Sequence, residues 1–119
     1  MLLERFTTAV AAAALVSMAA VMPAYAGPDL ANGATIFEAK CVACHAQGGN
    51  ILSPGKTLQL NALERDGYAD VETMVELIRK GKGQMPKYQG AIPKVSRLTD
   101  EEMVDVASFV LKRTDEKWQ

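Results

Sequence analysis

Both cysteines of this 119-residue chain and its only histidine lie within five consecutive positions, Cys41-Val42-Ala43-Cys44-His45. Thiols and imidazoles are the strongest soft ligands that proteins possess. Their concentration in one short segment is therefore the first functional signal. Three kinds of chemistry are compatible with it: a disulfide, a metal site, or covalent attachment of haem.

The spacing of the three side chains favours haem attachment. Redox-active C-x-x-C pairs usually stand at the start of a helix in a βαβ unit, and this chain shows no strand pattern. A structural zinc ion normally takes four ligands, whereas only two thiols and one imidazole are present. In Cys-x-x-Cys-His, by contrast, Cys41 and Cys44 lie one helical turn apart and can reach the two vinyl groups on one porphyrin edge. His45 follows directly and can ligate the iron.

A second axial ligand has to come from a methionine, because the chain contains no other histidine. Met74 and Met103 fall on apolar helical faces, where methionine usually serves as core packing. Met85 lies instead in a glycine-rich loop that ends at Pro86. We therefore predict that Met85 ligates the iron, which raises the reduction potential and closes the site to oxygen. The alternative is that Met85 merely plugs the loop and that water occupies the sixth position.

Residues 1–26 are predicted to be a secretory signal peptide. Ala9 to Met22 is almost wholly apolar, and the segment after it ends in the small-x-small pattern Ala24-Tyr25-Ala26. An uncleaved anchor or a buried helix are alternatives, but the run is shorter than the roughly 20 residues that span a bilayer. Cleavage after Ala26 leaves a single domain, residues 27–119. The net charge of −1 argues against a nucleic-acid-binding protein.

The domain is predicted to be all-α, with four short helices. Asp29, Asp70 and Thr99 are N-cap candidates for three of them, and the fourth is expected from Thr57 to Asp66. Gly33 is costly inside the first helix unless another helix approaches closely there. β-strand alternation is absent throughout.

Beyond these features, the chain resembles the class I cytochromes c, most closely the cytochrome c6 family. The matching motifs extend along nearly the whole domain: Leu30-Ala31-Asn32-Gly33 with Phe37, Cys41-Val42-Ala43-Cys44-His45, Gly48-Gly49-Asn50, Lys56-Thr57-Leu58, Gly81-Lys82, Met85-Pro86 with Tyr88, Arg97-Leu98-Thr99-Asp100-Glu101, Val106-Ala107 and Trp118.

The resemblance implies the class I cytochrome c fold, about four short helices around one covalently bound haem. It also implies that Gly33 and Phe37 cross the last helix near Ala107 and Phe109. The protein would be a soluble monomer and a one-electron carrier, not an enzyme. Its partners would be the cytochrome b6f complex and photosystem I or a terminal oxidase, in the thylakoid lumen or periplasm.

Three other functions remain open at this point. The protein could be a lower-potential carrier with a different partner. It could be a haem peroxidase or ligand sensor in which Met85 is easily displaced. It could also deliver electrons as a subunit of a larger oxidase or dehydrogenase.

Two departures from the family pattern bear on the potential and on the partner. Leu77 stands where the standard members have a glutamine beside the haem, and an amide dipole there can shift the potential. We therefore hypothesise a lower potential than that of a standard member. The link Lys87–Ser96 is longer than usual, which is either simple loop decoration or a modified docking surface near the methionine side of the haem.

A basic segment surrounds the proposed methionine ligand. No acidic residue occurs between Arg79 and Arg97, and the bases of this segment are Arg79, Lys80, Lys82, Lys87, Lys94 and Arg97. Such a run is usually a solvated face. Around a haem edge it can also steer the encounter with an acidic partner, and Arg97 and Lys82 are the docking candidates.

Overall fold

A computed structural model describes residues 27–90 and 93–119. The signal peptide predicted for residues 1–26 lies outside the described residues. The described residues form five α-helices: α1 (Leu30–Lys40), α2 (Val42–His45), α3 (Leu60–Asp66), α4 (Val71–Lys80) and α5 (Asp100–Asp115). Short 3-10 turns span Ala46–Gly48 and Lys94–Ser96. Within the described ranges there is no strand, only an isolated bridge between Lys82 and Met85, so the all-α prediction is confirmed.

The helix count differs from the predicted four because the Cys-x-x-Cys-His segment forms a helix of its own. Cys41 ends α1, where its backbone N–H donates to the Phe37 carbonyl, and its φ of −119° bends the chain. The one-turn α2 then starts at Val42. The helix expected from Thr57 begins only at Leu60, because Gln59 is extended and donates its N–H to the Thr57 hydroxyl.

The predicted helix caps are confirmed. The side chains of Asp29 and Asp70 accept hydrogen bonds from Asn32 N and Thr73 N, the backbone donors in the first turns of α1 and α4. At the start of α5, Thr99 and Glu102 form the full reciprocal capping box. These local interactions define where the three longest helices begin.

α1 crosses α5 at Gly33, as the cost of a glycine inside a helix suggested. A Cβ atom at Gly33 would overlap the carbonyl group of Asp105 and would lie 2.8 Å from Phe109 Cβ. The Phe37 ring packs against Phe109 with the ring centroids 5.5 Å apart. The expected contact with Phe109 is therefore confirmed, whereas the closest backbone approach is to Asp105 and not to Ala107.

The carboxylate of Asp105 reinforces this crossing. Its two oxygens accept hydrogen bonds from Asp29 N (2.8 Å) and Asn32 Nδ2 (3.0 Å), at the beginning of α1. The apolar core behind the crossing is formed by α1, α4 and α5, and its most buried members are Met103, Val106 and Ala107. In the described part of the chain, every helix is too short or too polar to cross a membrane.

Candidate functional site

All four predicted site residues line one cavity of about 420 Å³. Cys41 approaches it from the junction of α1 and α2, Cys44 and His45 from α2, and Met85 from the loop after α4. Ligand sites in proteins range over roughly 300–1,000 Å³, so the cavity is large enough for a cofactor. Most of its other walls are apolar or aromatic: Phe37, Leu52, Leu58, Ala62, Leu63, Tyr68, Met74, Leu77, Ile78, Tyr88, Leu98, Val106 and Val110.

His45 is held in the tautomer that a metal ligand requires. Its Nδ1 lies 2.7 Å from the Gly49 carbonyl oxygen. A carbonyl oxygen can only accept, so Nδ1 carries the proton and Nε2 keeps its lone pair. A hydrogen bond from the nitrogen that does not bind the metal fixes the ring and raises the basicity of the ligating nitrogen.

The two cysteines are unbonded thiols that border the same cavity. Burial raises the pKa of Cys41 to about 11, although the charge of Lys40 opposes the shift. Before a thioether forms, Cys41 is therefore a neutral thiol at physiological pH. The described residues contain no group of three or more His, Cys, Asp or Glu side chains that could hold a metal ion.

The loop that carries Met85 is closed by its own backbone. Lys82 N donates to Met85 O (3.2 Å), and Met85 N donates to Lys82 O (3.0 Å). Gly81 adopts a φ of +68°, and a Cβ atom there would lie 2.6 Å from Met85 O and 2.8 Å from Lys87 N. Only glycine therefore lets the Met85 segment fold back against the end of α4.

The other two methionines of the domain are buried in the core, as predicted. Met103 is 1% exposed and Met74 is 4% exposed. Met74 also borders the cavity, whereas Met103 does not. The sequence pattern did not show that only one of these two methionines borders the cavity. Because Met74 does, a test of the axial ligand has to compare Met85 with Met74.

Polar residues that the sequence interpretation missed shape the mouth of the cavity. The Asn50 side chain closes the 50–56 loop by accepting from Leu52 N and Ser53 N and donating to Lys56 O. An asparagine after two glycines is a turn signal that could have revealed this role.

A second missed group lies beside that loop. Arg65 donates to both carboxylate oxygens of Asp66 and to Gly55 O. These hydrogen bonds are the main reason why the pKa of Asp66 falls to about 2. Lys56 also pairs with Asp66, at 3.5 Å, and both residues line the cavity. The charged cluster therefore joins the loop to α3 at the entrance of the site.

Tyr88 was part of the family resemblance but had no assigned role. Its hydroxyl donates to Lys40 O at 3.1 Å, and its backbone N–H donates to Ile78 O. Burial, with a smaller contribution from the two nearby cysteines, raises the pKa of its phenol. Tyr88 thus joins the end of α1 to the segment after Met85.

The residue expected to affect the reduction potential and the two docking candidates do not all border the cavity. Leu77 and Lys82 both border the cavity, whereas Arg97 is an exposed residue outside the lining. Within the basic segment, Arg79 pairs with Glu76 and Asp100, and Lys80 pairs with Glu76.

The long link Lys87–Ser96 is attached to the end of α1. Lys40 Nζ donates to Val95 O at 3.2 Å, and the Val95 side chain is 78% exposed. Since Lys40 also borders the cavity, the described part of the link lies close to the Cys41 edge of the site.

Comparison with known proteins gives consistent matches. A family model described as cytochrome C oxidase, cbb3-type, subunit III matches residues 28–110. Cytochrome c6 of Thermosynechococcus vestitus is 38% identical over 115 residues, which are 97% of this chain and 96% of that protein. The chain belongs to the cytochrome c6 family. The full-length match to a cytochrome c6 decides this assignment, because the family model alone covers a cytochrome domain of an oxidase subunit.

Solved cytochromes c6 have the same fold. The structure from the diatom Phaeodactylum tricornutum is 37% identical and aligns with a TM-score of 0.69, over 76% of this chain and 99% of that one. A variant of Arabidopsis thaliana cytochrome c6A is 39% identical, with a TM-score of 0.68 and coverages of 76% and 99%. The class I cytochrome c fold is thereby confirmed.

Family membership establishes the cofactor and the general function. The protein carries covalently bound haem c and is an electron carrier of photosynthetic electron transport. The residues of the cavity fit this group: two thiols stand one turn apart, an imidazole presents a free Nε2, and the walls are apolar. None of the structural features described above favours one of the three other functions.

Proposed function

We propose that the thiols of Cys41 and Cys44 hold the haem as thioethers and that His45 and Met85 are its two axial ligands. Haem supplies one iron that cycles between the ferrous and ferric states. Convergence of these four side chains on one cavity is the observation that carries the proposal. The His45 Nδ1–H bond to Gly49 O adds that Nε2 is available as a ligand.

In this proposal the protein residues hold the group and exclude water. The junction of α1 and α2 would present the Cys41 thiol, and α2 would present the Cys44 thiol and the imidazole. The closed loop around Met85 would present the methionine thioether. The buried walls provided by α4 and α5 keep the surroundings apolar. If His45 and Met85 both hold the iron, small ligands would have no open coordination site, which would favour a carrier over a peroxidase or sensor.

The proposed pathway is that of the cytochrome c6 family. The chain would accept an electron from the cytochrome b6f complex and pass it to photosystem I or a terminal oxidase. It would act as a monomer in the thylakoid lumen or periplasm after removal of residues 1–26. Mass spectrometry of the exported protein tests the cleavage: a chain starting at Gly27, heavier by one haem, is expected, and a retained residue 26 would contradict it.

Matched methionine variants test the axial ligand. Met85→Leu should abolish the methionine–iron charge-transfer absorbance of the oxidised protein and should lower the reduction potential. Met74→Leu removes the other methionine that borders the cavity and should keep the band. If the band survives in Met85→Leu and disappears in Met74→Leu, the assignment is wrong. Carbon monoxide binding by reduced wild-type protein would instead support the peroxidase or sensor.

We also propose that the exposed bases beside the cavity guide the encounter with an acidic partner. Lys82 borders the cavity and its side chain is exposed. Arg97 follows the exposed 3-10 turn Lys94–Ser96 in the same basic segment. Electron-transfer encounters bury little surface, so charge placement affects mainly the association rate. Because Arg79 and Lys80 have acidic partners, they are weaker docking candidates than the segment suggested.

Charge reversal tests the docking proposal. Lys82→Glu and Arg97→Glu should each slow electron transfer to the physiological acceptor, and more strongly at low than at high ionic strength. Lys112→Glu is the matched control, because it changes the net charge equally on α5, outside the cavity lining. Equal slowing in all three variants would show that only net charge matters and would refute a local docking role.

A further inference from the structure

The turn that follows His45 has a backbone that needs outside support. Gln47 and Gly48 both have positive φ values, +58° and +77°, before the chain extends at Gly49. Glycine adopts such a φ freely, but a non-glycine residue such as Gln47 in the left-handed region costs energy and persists only when surrounding groups hold it. This turn delivers the Gly49 carbonyl to His45 Nδ1. Whatever holds the turn therefore also holds the imidazole.

The indole of Trp118, the penultimate residue, packs directly on this turn. A Cβ atom at Gly48 would lie 2.5 Å from Cδ1, Nε1 and Cε2 of Trp118, so the ring covers the Gly48 Cα. The indole is buried and packs against Phe37 and Phe109, at centroid distances of 5.4 Å and 6.4 Å. The guanidinium of Arg113 lies 5.7 Å from its centroid on the exposed side.

Leu58 connects the same two regions through hydrogen bonds. Its backbone N–H donates to Gly48 O at 2.7 Å. Its carbonyl oxygen accepts from Trp118 Nε1 at 3.0 Å and from Thr114 Oγ1 at 2.7 Å. Two contacts therefore hold Gly48. The indole face of Trp118 packs on its Cα, and Leu58, which accepts a hydrogen bond from the same indole, donates to its carbonyl oxygen. The two restraints act on the residue next to the Gly49 carbonyl.

We propose that Trp118 is a positioning residue for the axial histidine. It acts through Gly48 and Leu58 to fix the Gly49 carbonyl, which holds His45 Nδ1–H and directs Nε2 into the cavity. The inference rests on the proposed ligation by His45. It assigns the C-terminal end of the chain a role in the chemistry of a site to which it contributes no cavity-lining residue.

The proposal predicts a direction for the redox effect. A firm hydrogen bond from Nδ1–H makes the imidazole more basic and favours the oxidised state of a metal that it ligates. Loosening the turn weakens this bond. The reduction potential should therefore rise when the Trp118 contact is lost, and a general loss of stability gives no reason for a shift of that sign.

The test uses the haem-loaded exported protein in three forms: wild type, Trp118→Leu and Val75→Ala. Val75 is buried in α4 and does not border the cavity. It serves as the control for lost stability. NMR of the reduced protein measures solvent exchange of the His45 Nδ1 proton, and potentiometry measures the midpoint. Trp118→Leu should speed the exchange by up to about tenfold, the factor that corresponds to loss of one hydrogen bond, and should raise the midpoint, whereas Val75→Ala should change neither.

Each outcome has a defined meaning. Equal exchange rates and midpoints in all three proteins would overturn the positioning role, even if both variants melt at lower temperature. If Trp118→Leu fails to mature, Trp118→Phe keeps an aromatic ring on Gly48 and removes only the N–H donor; a smaller shift in the same direction is expected, and no shift would overturn the proposal. If wild-type His45 shows no iron-ligand shifts in its imidazole resonances, the ligation itself fails, which is a separate result.

Discussion

Replacing Gly33 by alanine tests the helix crossing on which the cavity depends. Alanine is the better helix former by about 1 kcal/mol, so propensity alone predicts a more stable protein. The structure predicts the opposite. The new Cβ atom would lie 2.8 Å from the carbonyl carbon of Asp105 and from Phe109 Cβ, where ordinary contacts begin at 3.4 Å. The neighbour on α5 is main chain, which cannot rotate away as a flexible side chain could.

The magnitude follows from the contacts that must give way. The carbonyl oxygen of Asp105 would be closer to the new Cβ atom than the carbonyl carbon or Phe109 Cβ, so α1 and α5 would have to separate by more than the difference between 2.8 and 3.4 Å. Overpacking of this kind costs about 1–3 kcal/mol. The separation also stretches the two hydrogen bonds that Asp105 accepts from the start of α1, each worth about 1 kcal/mol. After the gain in propensity, we expect the free energy of unfolding to fall by about 2–4 kcal/mol.

Guanidinium unfolding followed by far-UV circular dichroism measures this change. The midpoint concentration should fall while the slope stays the same, because the folded state remains equally compact. Gly55→Ala is the matched control: Gly55 is an exposed loop residue where a Cβ atom meets nothing within 4 Å, so a change within about 0.5 kcal/mol is expected. A Gly33→Ala protein at least as stable as wild type would refute the close crossing.

Three further predictions concern the site. Leu77→Gln should raise the reduction potential, because it places an amide dipole at the cavity wall; potentiometry measures the shift, and an unchanged midpoint would remove the hypothesis of a low-potential carrier. Arg65→Gln should raise the pKa of Asp66 from about 2 toward 3.8. Since the folded-state pKa of Asp66 is lowered, the pairing with Arg65 stabilises the folded protein above pH 3.8, and this stabilisation is lost as the pH falls toward 2. An NMR titration of the Asp66 carboxyl carbon that gives the same pKa in both proteins would contradict the pairing. Gly81→Ala should weaken the methionine–iron absorbance, because its Cβ meets the methionine carbonyl. Gly55→Ala, at an exposed position with open space around it and outside the cavity lining, should leave the band unchanged.

The local features of this protein follow from its sequence. Cap residues at Asp29, Asp70 and Thr99 fix helix starts because they satisfy backbone donors within the next three residues. The Cys-x-x-Cys-His spacing indicated haem attachment because one helical turn sets the distance between the thiols. Both kinds of inference use neighbours along the chain, so no tertiary information was needed.

Boundaries near the site were harder to predict because tertiary and loop contacts compete with helix propensity. The separate α2 arises from the bend at Cys41, and α3 starts late because Gln59 bonds to Thr57. Likewise, the basic segment appeared uniform in sequence. Only the structure shows that Arg79 is paired with Asp100, because that acid belongs to another helix.

The sequence by itself determined the cofactor chemistry, the helical class and the cost of a glycine at position 33. Tertiary structure alone decided which methionines border the cavity, which carbonyl holds the His45 ring and how Trp118 reaches that carbonyl through Gly48 and Leu58. The physical reason is distance along the chain. Ligands that are neighbours in the sequence can be recognised from a motif, whereas contacts between residues 48, 58 and 118 exist only after the helices have packed.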